Sequence, residues 1–271
     1  MTGRVLIVAG SDSGGGAGVQ ADIKTVTALG GYAATAITAL TVQDTLGVHG
    51  VQPVPPDFVV AQMRAVLRDI GADAVKTGML GGAALIAAVA AALRDEAPGV
   101  PLVLDPVMVA KGGARLLPDE AVAALLRELV PLATILTPNV LEAEVLAGMP
   151  ITDQASATGA AARLLRLGPR AVLLKGGHLP GPVVTDLLAT EEGTAAMSDT
   201  RIDTPHTHGT GCTLASAIAA GLAQGRDLPT SVRRARAYVR QAIASAPGLG
   251  RGHGPLGHAW TVGADALAGL G

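Results

Sequence analysis

Short, nearly uninterrupted apolar runs alternate with helix-length segments along this chain, and that alternation is the strongest constraint on its fold. Residues 4–9 (RVLIVA), 100–105 (VPLVLD), 133–136 (ATIL) and 171–174 (AVLL) are examples. A run this short and this apolar has no polar side to leave in water, so it suits a strand covered on both faces. Residues 32–40 and 74–80 predict two more strands, the second running into a loop. Between the strands, residues 19–29, 57–70, 81–96, 119–129 and 153–166 have helix length and pattern. Strand–helix–strand units joined in one hand give a mostly parallel sheet between two helical layers, an α/β architecture of three layers. Residues 183–189 and 194–198, linked by Glu191-Glu192-Gly193, predict an antiparallel hairpin at the sheet's far edge. Residues 209–224 and 229–246 read as closing helices. A chain of 271 residues without repeat or interdomain linker suits one large domain, 1–271.

Composition narrows the functional classes. Hydrophobic residues make up 49% of the chain, but its aromatics are only Tyr32, Phe58, Tyr238 and Trp260. The core is therefore built from Ala, Val, Leu and Ile. A net charge of -2 gives no general attraction for nucleic acid. The longest helix-like apolar stretch, 83–93, is too short to cross a membrane. One cysteine, Cys212, permits no intrachain disulfide and suits a reducing compartment, so a cytoplasmic location is expected. Residues 53–56 read as a Pro-rich connector, and the Gly- and Pro-rich tail from 247 carries no signal. Arg233, Arg234, Arg236 and Arg240 read as a solvated helix face.

Chemistry-bearing residues gather where such strands end. Residues 206–217, HTHGTGCTLASA, pass from a polar turn into a helical run of small residues. A helix start leaves backbone N–H groups unpaired at the positive end of the dipole, which suits an anion. Gly209 and Gly211 let the chain turn and a phosphate approach the backbone. Cys212 falls in that first turn, where thiolate is favoured, so a lowered thiol pKa is expected. An anion cradle beside a potential base is the minimum kit for phosphoryl transfer to a hydroxyl. On the local pattern alone the plainer reading leads: a turn before a helix, and a small buried cysteine. The loop 10–18 (GSDSGGGAG) lies between a strand and a helix but matches neither the dinucleotide fingerprint nor Walker A. Asp22 and Lys24 read as solvated charges, and Gln43 as a solvated residue of the turn 41–45. Asp105 closes a strand, where it could cap a turn or join phosphates in holding Mg²⁺. Asn139 and Glu142 form an Asn-x-x-Glu pair that also arises by chance, and Lys175 precedes Gly176-Gly177-His178, whose histidine reads as structural.

The strings together resemble the ribokinase superfamily, in which a GxGD loop supplies an oxyanion hole and its last residue the catalytic base. Cys212 stands where most members carry aspartate. That exchange is the habit of the branch holding hydroxymethylpyrimidine and phosphomethylpyrimidine kinases and their pyridoxal-kinase relatives. SDSGGGAGVQADIKT, DPVM from Asp105, TPN with Glu142, and KGGH from Lys175 resemble the same branch over nearly the whole chain. Asp44 departs from the family's asparagine after Gln43, and the loop at Lys111 resembles it only loosely.

The resemblance implies a ribokinase-like fold, ATP and Mg²⁺. The implied reaction is γ-phosphoryl transfer to the 5-hydroxymethyl of 4-amino-5-hydroxymethyl-2-methylpyrimidine, then to its monophosphate. It implies that Gly209, Thr210, Gly211 and Cys212 form the catalytic loop with Lys175. Ala17, Asp22, Val42, Gln43, Met79 and Val107 would surround the pyrimidine, with Gln43 on its edge. Asn139, Lys175, Thr210 and Gly211 would meet the nucleotide, and Asp105 and Glu142 the metal. It also implies a homodimer. Two alternatives stay open, a pyridoxal kinase of the same branch and a non-catalytic binder of pyrimidine or nucleotide.

Overall fold

The computed structural model describes residues 2–108 and 117–262. The loop at Lys111 lies outside the described residues. The strands are β1 (Arg4–Ser11), β2 (Tyr32–Gln43), β3 (Val48–Pro53), β4 (Ala74–Thr77), β5 (Leu102–Leu104), β6 (Ile135–Leu136), β7 (Ala171–Leu174), β8 (Val183–Thr190) and β9 (Gly193–Thr200). The helices are α1 (Gly18–Ala28), α2 (Pro56–Asp69), α3 (Ala83–Glu96), α4 (Asp119–Glu128), α5 (Val140–Ala147), α6 (Gln154–Leu165), α7 (Thr210–Ala223) and α8 (Leu228–Ala244). All nine of these strands join one sheet in the order β3-β2-β1-β4-β5-β6-β7-β8-β9. Strands β2, β1, β4, β5, β6 and β7 pair in parallel, while β3, β8 and β9 attach antiparallel at the two edges.

Strand β1 shows why its sequence is apolar without interruption. Leu6 and Val8 join the core under α2 to α6, whereas Val5, Ile7 and Ala9 join the opposite core under α1, α7 and α8. With helices on both faces, neither side of the pleat can be polar. Each buried Val, Leu or Ile contributes about 1.5–3 kcal/mol relative to exposure. The small side chains of α7, among them Ala215, Ala217, Ala219 and Ala220, let that helix lie close on the sheet.

Three expectations change. Between the residues read as a polar turn (41–45) and a connector (53–56) lies strand β3, which pairs with a β2 extended into that turn, from Ala39↔Pro53 to Gln43↔Val48. Strand β3 is half-exposed to exposed throughout, so no apolar alternation marks it. Its pairing follows instead from Asp44, whose side chain accepts from the N–H groups of Leu46 and Gly47 and closes the hairpin. The tail is also structured over residues 247–262. His253 and Thr45 share a backbone bond, and His258 is buried beneath Tyr238. Finally, the arginines of α8 are not uniformly solvated. Arg236 bonds Asp186 and Asp199, and Arg234 donates to Gln224 and Leu29 O, leaving Arg233 as the exposed member. A cavity of about 460 Å³ lies there, between Asp199, Ile202 and α8, outside the cluster described next.

Candidate active site

The parallel strands end on one edge, and the loops that follow them converge there. The loop before α7 comes closest to the others. Gly209 caps the helix with φ +84, and a Cβ on it would lie 1.9 Å from Gly16 O. Only glycine allows that left-handed turn against the first glycine loop. No side chain caps α7; the Thr210 N–H bonds Thr207 O, and those of Gly211 and Cys212 are left to an incoming group. A Cβ on Gly211 would sit 3.3 Å from Lys175 Nζ and 3.7 Å from Asp105 Oδ2. The helix start, a cation and a carboxylate therefore meet at one point.

Lys175 reaches that point because β6 and β7 end side by side: its N–H donates to Pro138 O, and Asn139 bridges to it. Its Nζ lies 3.0 Å from Asp105 Oδ1 and 3.9 Å from Glu142 Oε2. Burial opposes the ammonium charge, but Asp105 and Glu142 outweigh it and raise its pKa. Asn139 and Glu142 turn out to be the capping box of α5, each side chain taking the other's backbone N–H at 2.9 and 2.8 Å. Burial pushes the Glu142 carboxyl up to about 7, with Lys175 pulling down and Asp105 up.

Beneath α7 lies a charge pair that sequence reasoning missed. Lys76 and Asp22 are both fully buried, 2.8 Å apart, and Ser216 donates to the other Asp22 oxygen at 2.7 Å. Asp22 is thus sealed under the site and not a solvated charge. The missed signal was a lysine inside the apolar strand AVKT. Burial opposes the Lys76 charge, but Asp22, Cys212 and Asp105 hold its pKa above the ordinary value. Cys212 corrects another expectation. Burial pushes its thiol up to about 11, which Lys76 and the Gly18 N–H only partly offset. The helix-start field is present, but desolvation of the thiolate is larger.

The remaining predicted residues scatter more. Ala17 caps α1 beside Gly209. Gln43 faces His208, a second residue the sequence reading passed over, whose Nε2 pairs with Asp12. Met79 packs over Gly10 and accepts from Thr38. Val107 lines a small pocket with Gly78 and Asp105. Val42 stands apart, 64% exposed on β2 against Gly50. Asp105 and Glu142 offer hard oxygen donors beside the open helix start, which fits Mg²⁺ shared with phosphate oxygens. Among the described residues, no group of three acidic, His or Cys side chains could hold a metal without such help.

Known proteins share this arrangement's sequence and fold. A family profile described as phosphomethylpyrimidine kinase matches residues 12–257. The thiamine biosynthesis bifunctional protein ThiED of Geobacter sulfurreducens is 54% identical over 94% of this chain, which spans 52% of that longer protein. A hydroxymethylpyrimidine/phosphomethylpyrimidine kinase of Streptomyces coelicolor is 48% identical over 96% of this chain and 95% of its own. The crystal structure of an ADP complex of Bacillus subtilis pyridoxal kinase superposes with a TM-score of 0.88 at 35% identity, covering 96% of this chain and 98% of that one. Fold and sequence thus agree with the ribokinase-like expectation, and a match over nearly the full length leaves one conclusion: this chain belongs to the phosphomethylpyrimidine kinase family.

Proposed function

We propose that this kinase transfers the γ-phosphoryl group of ATP to the 5-hydroxymethyl of 4-amino-5-hydroxymethyl-2-methylpyrimidine and then to the resulting monophosphate. The observation that carries the reading is the approach of Gly211, Lys175 and Asp105 at the uncapped start of α7. Backbone N–H groups of Gly209 to Cys212 and the Lys175 ammonium would hold the transferring phosphoryl group. Asn139 and Thr210 flank the nucleotide phosphates. Asp105 and Glu142 would hold Mg²⁺, whose charge neutralises phosphate oxygens. Ala17, Gln43, Met79 and Val107 surround the pyrimidine; Val42 offers its exposed side chain to the rim, and Asp22 supports the floor through Lys76. Cys212 meets the acceptor hydroxyl as a neutral thiol at neutral pH, so the cradle carries most of the acceleration. A loose transition state needs little prior deprotonation.

Incubation with MgATP and, separately, the free pyrimidine, its monophosphate and pyridoxal tests the reading. ADP release with both pyrimidines is expected, and release with pyridoxal alone would replace it with the pyridoxal-kinase reading. The pyrimidine reading is favoured because the Streptomyces pyrimidine kinase is more alike in sequence than the Bacillus pyridoxal kinase. A homodimer is proposed through the β2–β3 edge, where Leu40, Leu46 and Val51 are exposed. No helix among the described residues is long and apolar enough to cross a membrane. A cytoplasmic location is proposed from the free Cys212.

A further inference from the structure

His208 joins the two glycine-bearing loops. Its Nε2 lies 2.9 Å from Asp12 Oδ2, and its backbone N–H donates to Gly254 O in the tail. Asp12 is the hub of the first loop. Its Oδ1 accepts from the Gly14 N–H, and its Oδ2 from those of Gly16 and Ala17. Burial opposes the Asp12 charge, but His208 and the N–H groups of Ala17 and Gly14 outweigh it and hold its pKa below the usual aspartate value. An ionised carboxylate only accepts hydrogen bonds, so His208 Nε2 carries a proton and donates it.

That proton decides how Gln43 sits. Gln43 Nε2 lies 3.3 Å from the same His208 Nε2, and two N–H donors cannot bond each other. On its other side, Thr41 Oγ1 lies within donor reach of two acceptors, Gln43 Oε1 at 3.2 Å and Ser11 O at 2.8 Å, and its single proton serves the shorter contact, to Ser11. Thr41 Oγ1 therefore has only lone pairs to offer Gln43. Both neighbours reject an amide with its nitrogen toward His208, and both accept one turned through 180°. Amide nitrogen and oxygen have nearly the same size, so the turn disturbs no packing. Oε1 then accepts from His208 Nε2–H, which it shares with Asp12, and one Nε2–H donates to Thr41. A second N–H and a carbonyl lone pair remain, each with a fixed side. The Gln43 backbone is fixed as well, because its N–H and C=O both bond Ser13 Oγ at 2.8 Å.

We propose that His208, held by Asp12, is a positioning residue that sets the Gln43 amide in the turned orientation and thereby selects which donor–acceptor edge of a ring the site accepts. An amino group next to a ring nitrogen presents a donor and an acceptor. The oxo counterpart, with its ring N–H, presents them reversed. An amide free to flip satisfies either edge, whereas one locked from two sides satisfies one and leaves the other with unpaired buried groups. The kinetic consequence rests on the pyrimidine reading above; the amide orientation itself does not.

Two measurements on the full chain separate these layers. In the ligand-free, ¹⁵N-labelled protein, His208 is expected to be protonated at Nε2, and His208→Leu is expected to shift the Gln43 side-chain amide signals. A bare Nε2 overturns the proposal. In kinetics with MgATP, the 4-amino pyrimidine is compared with its 4-oxo analogue. His208→Leu is expected to cut the preference for the amino ring by about tenfold or more, through KM for the pyrimidine, with KM for MgATP within about twofold. His208→Gln, whose amide N–H reaches the same place, is expected to restore most of it. Thr41→Val removes the lock from the other side and serves if His208→Leu does not fold. A uniform fall in kcat on both rings with preference intact overturns the proposal and leaves His208 a loop brace. Wild-type failure on both rings, with the NMR signature present, removes the pyrimidine reading while the amide lock stands.

Discussion

Two sets of ion pairs in this chain use the same chemistry in opposite surroundings. Lys76 and Asp22 face each other under α7 with no exposure at all. Arg236, Arg240, Asp186 and Asp199 cluster at the β8–β9 edge, and Arg240 and Asp199 keep about a third of their side-chain surface in water, 35% and 32%. In the first set neither charge can fall back on solvent, so each depends on its partner. In the second, Arg236 and Asp186 are also largely buried, but at Arg240 and Asp199 water and screening take over most of what a lost partner supplied. The buried pair therefore ties α1, β4 and the α7 floor into one unit directly below the catalytic loop, whereas the edge pairs only trim the hairpin against α8.

The largest expected effect tests the buried pair. Lys76→Met leaves Asp22 uncompensated and should cost about 3–5 kcal/mol in urea unfolding. The double variant Lys76→Met with Asp22→Leu should cost less than Lys76→Met alone, because no orphan charge remains. Equal losses would mean that the pair is not coupled.

Next comes the thiol above that pair. With a pKa of about 11, Cys212 should be alkylated at pH 8 roughly a hundredfold more slowly than a free thiol. The rate should climb between pH 9 and 11. The folded thiol binds its proton more tightly than the unfolded one, so the associated stability is present below the unfolded pKa and is lost as pH rises toward about 11. Rapid alkylation at pH 7 would restore the low-pKa thiol that a helix start alone suggests.

His258 offers a milder pH effect far from the cradle. Burial pushes its pKa down to about 4, and its Nδ1 lies 3.0 Å from the Tyr238 hydroxyl. The folded state thus disfavours the imidazolium. Its contribution is complete above the unfolded value near 6.5 and declines as pH falls toward about 4. The effect should be on the order of 1–2 kcal/mol, visible as a falling Tm that His258→Phe flattens.

The smallest effect belongs to the edge. Arg240→Ala should change stability by about 0–1 kcal/mol and lose even that at high salt. A loss as large as that of Lys76→Met would erase the distinction between the two regions.

Local sequence was enough for elements whose cause is local. The apolar runs of β1, β5 and β7 announced buried strands because both pleat faces are covered. The glycine turn into α7 likewise depends on neighbours a few residues away, and so does the Asn139–Glu142 capping box, although from sequence it read only as an Asn-x-x-Glu pair. Strand β3 escaped because its residues are exposed and its only strong signal is the turn at Asp44.

What only the tertiary structure decided concerns partners distant in the chain. Asp22 reads as a surface charge until Lys76, on a strand separated from it by two other strands and a helix, closes over it. His208 reads as one more polar residue before a helix until Asp12 and Gln43 meet it from 196 and 165 residues away. Cys212 shows the contest directly. Its position in the helix promises a stabilised thiolate, and desolvation at its half-buried place near Lys76, Asp22 and Asp105 overrules that promise. A residue's type and its local conformation are written along the chain. Its desolvation and its hydrogen-bond partners are properties of the folded interior, and they set the charge state on which the site's chemistry depends.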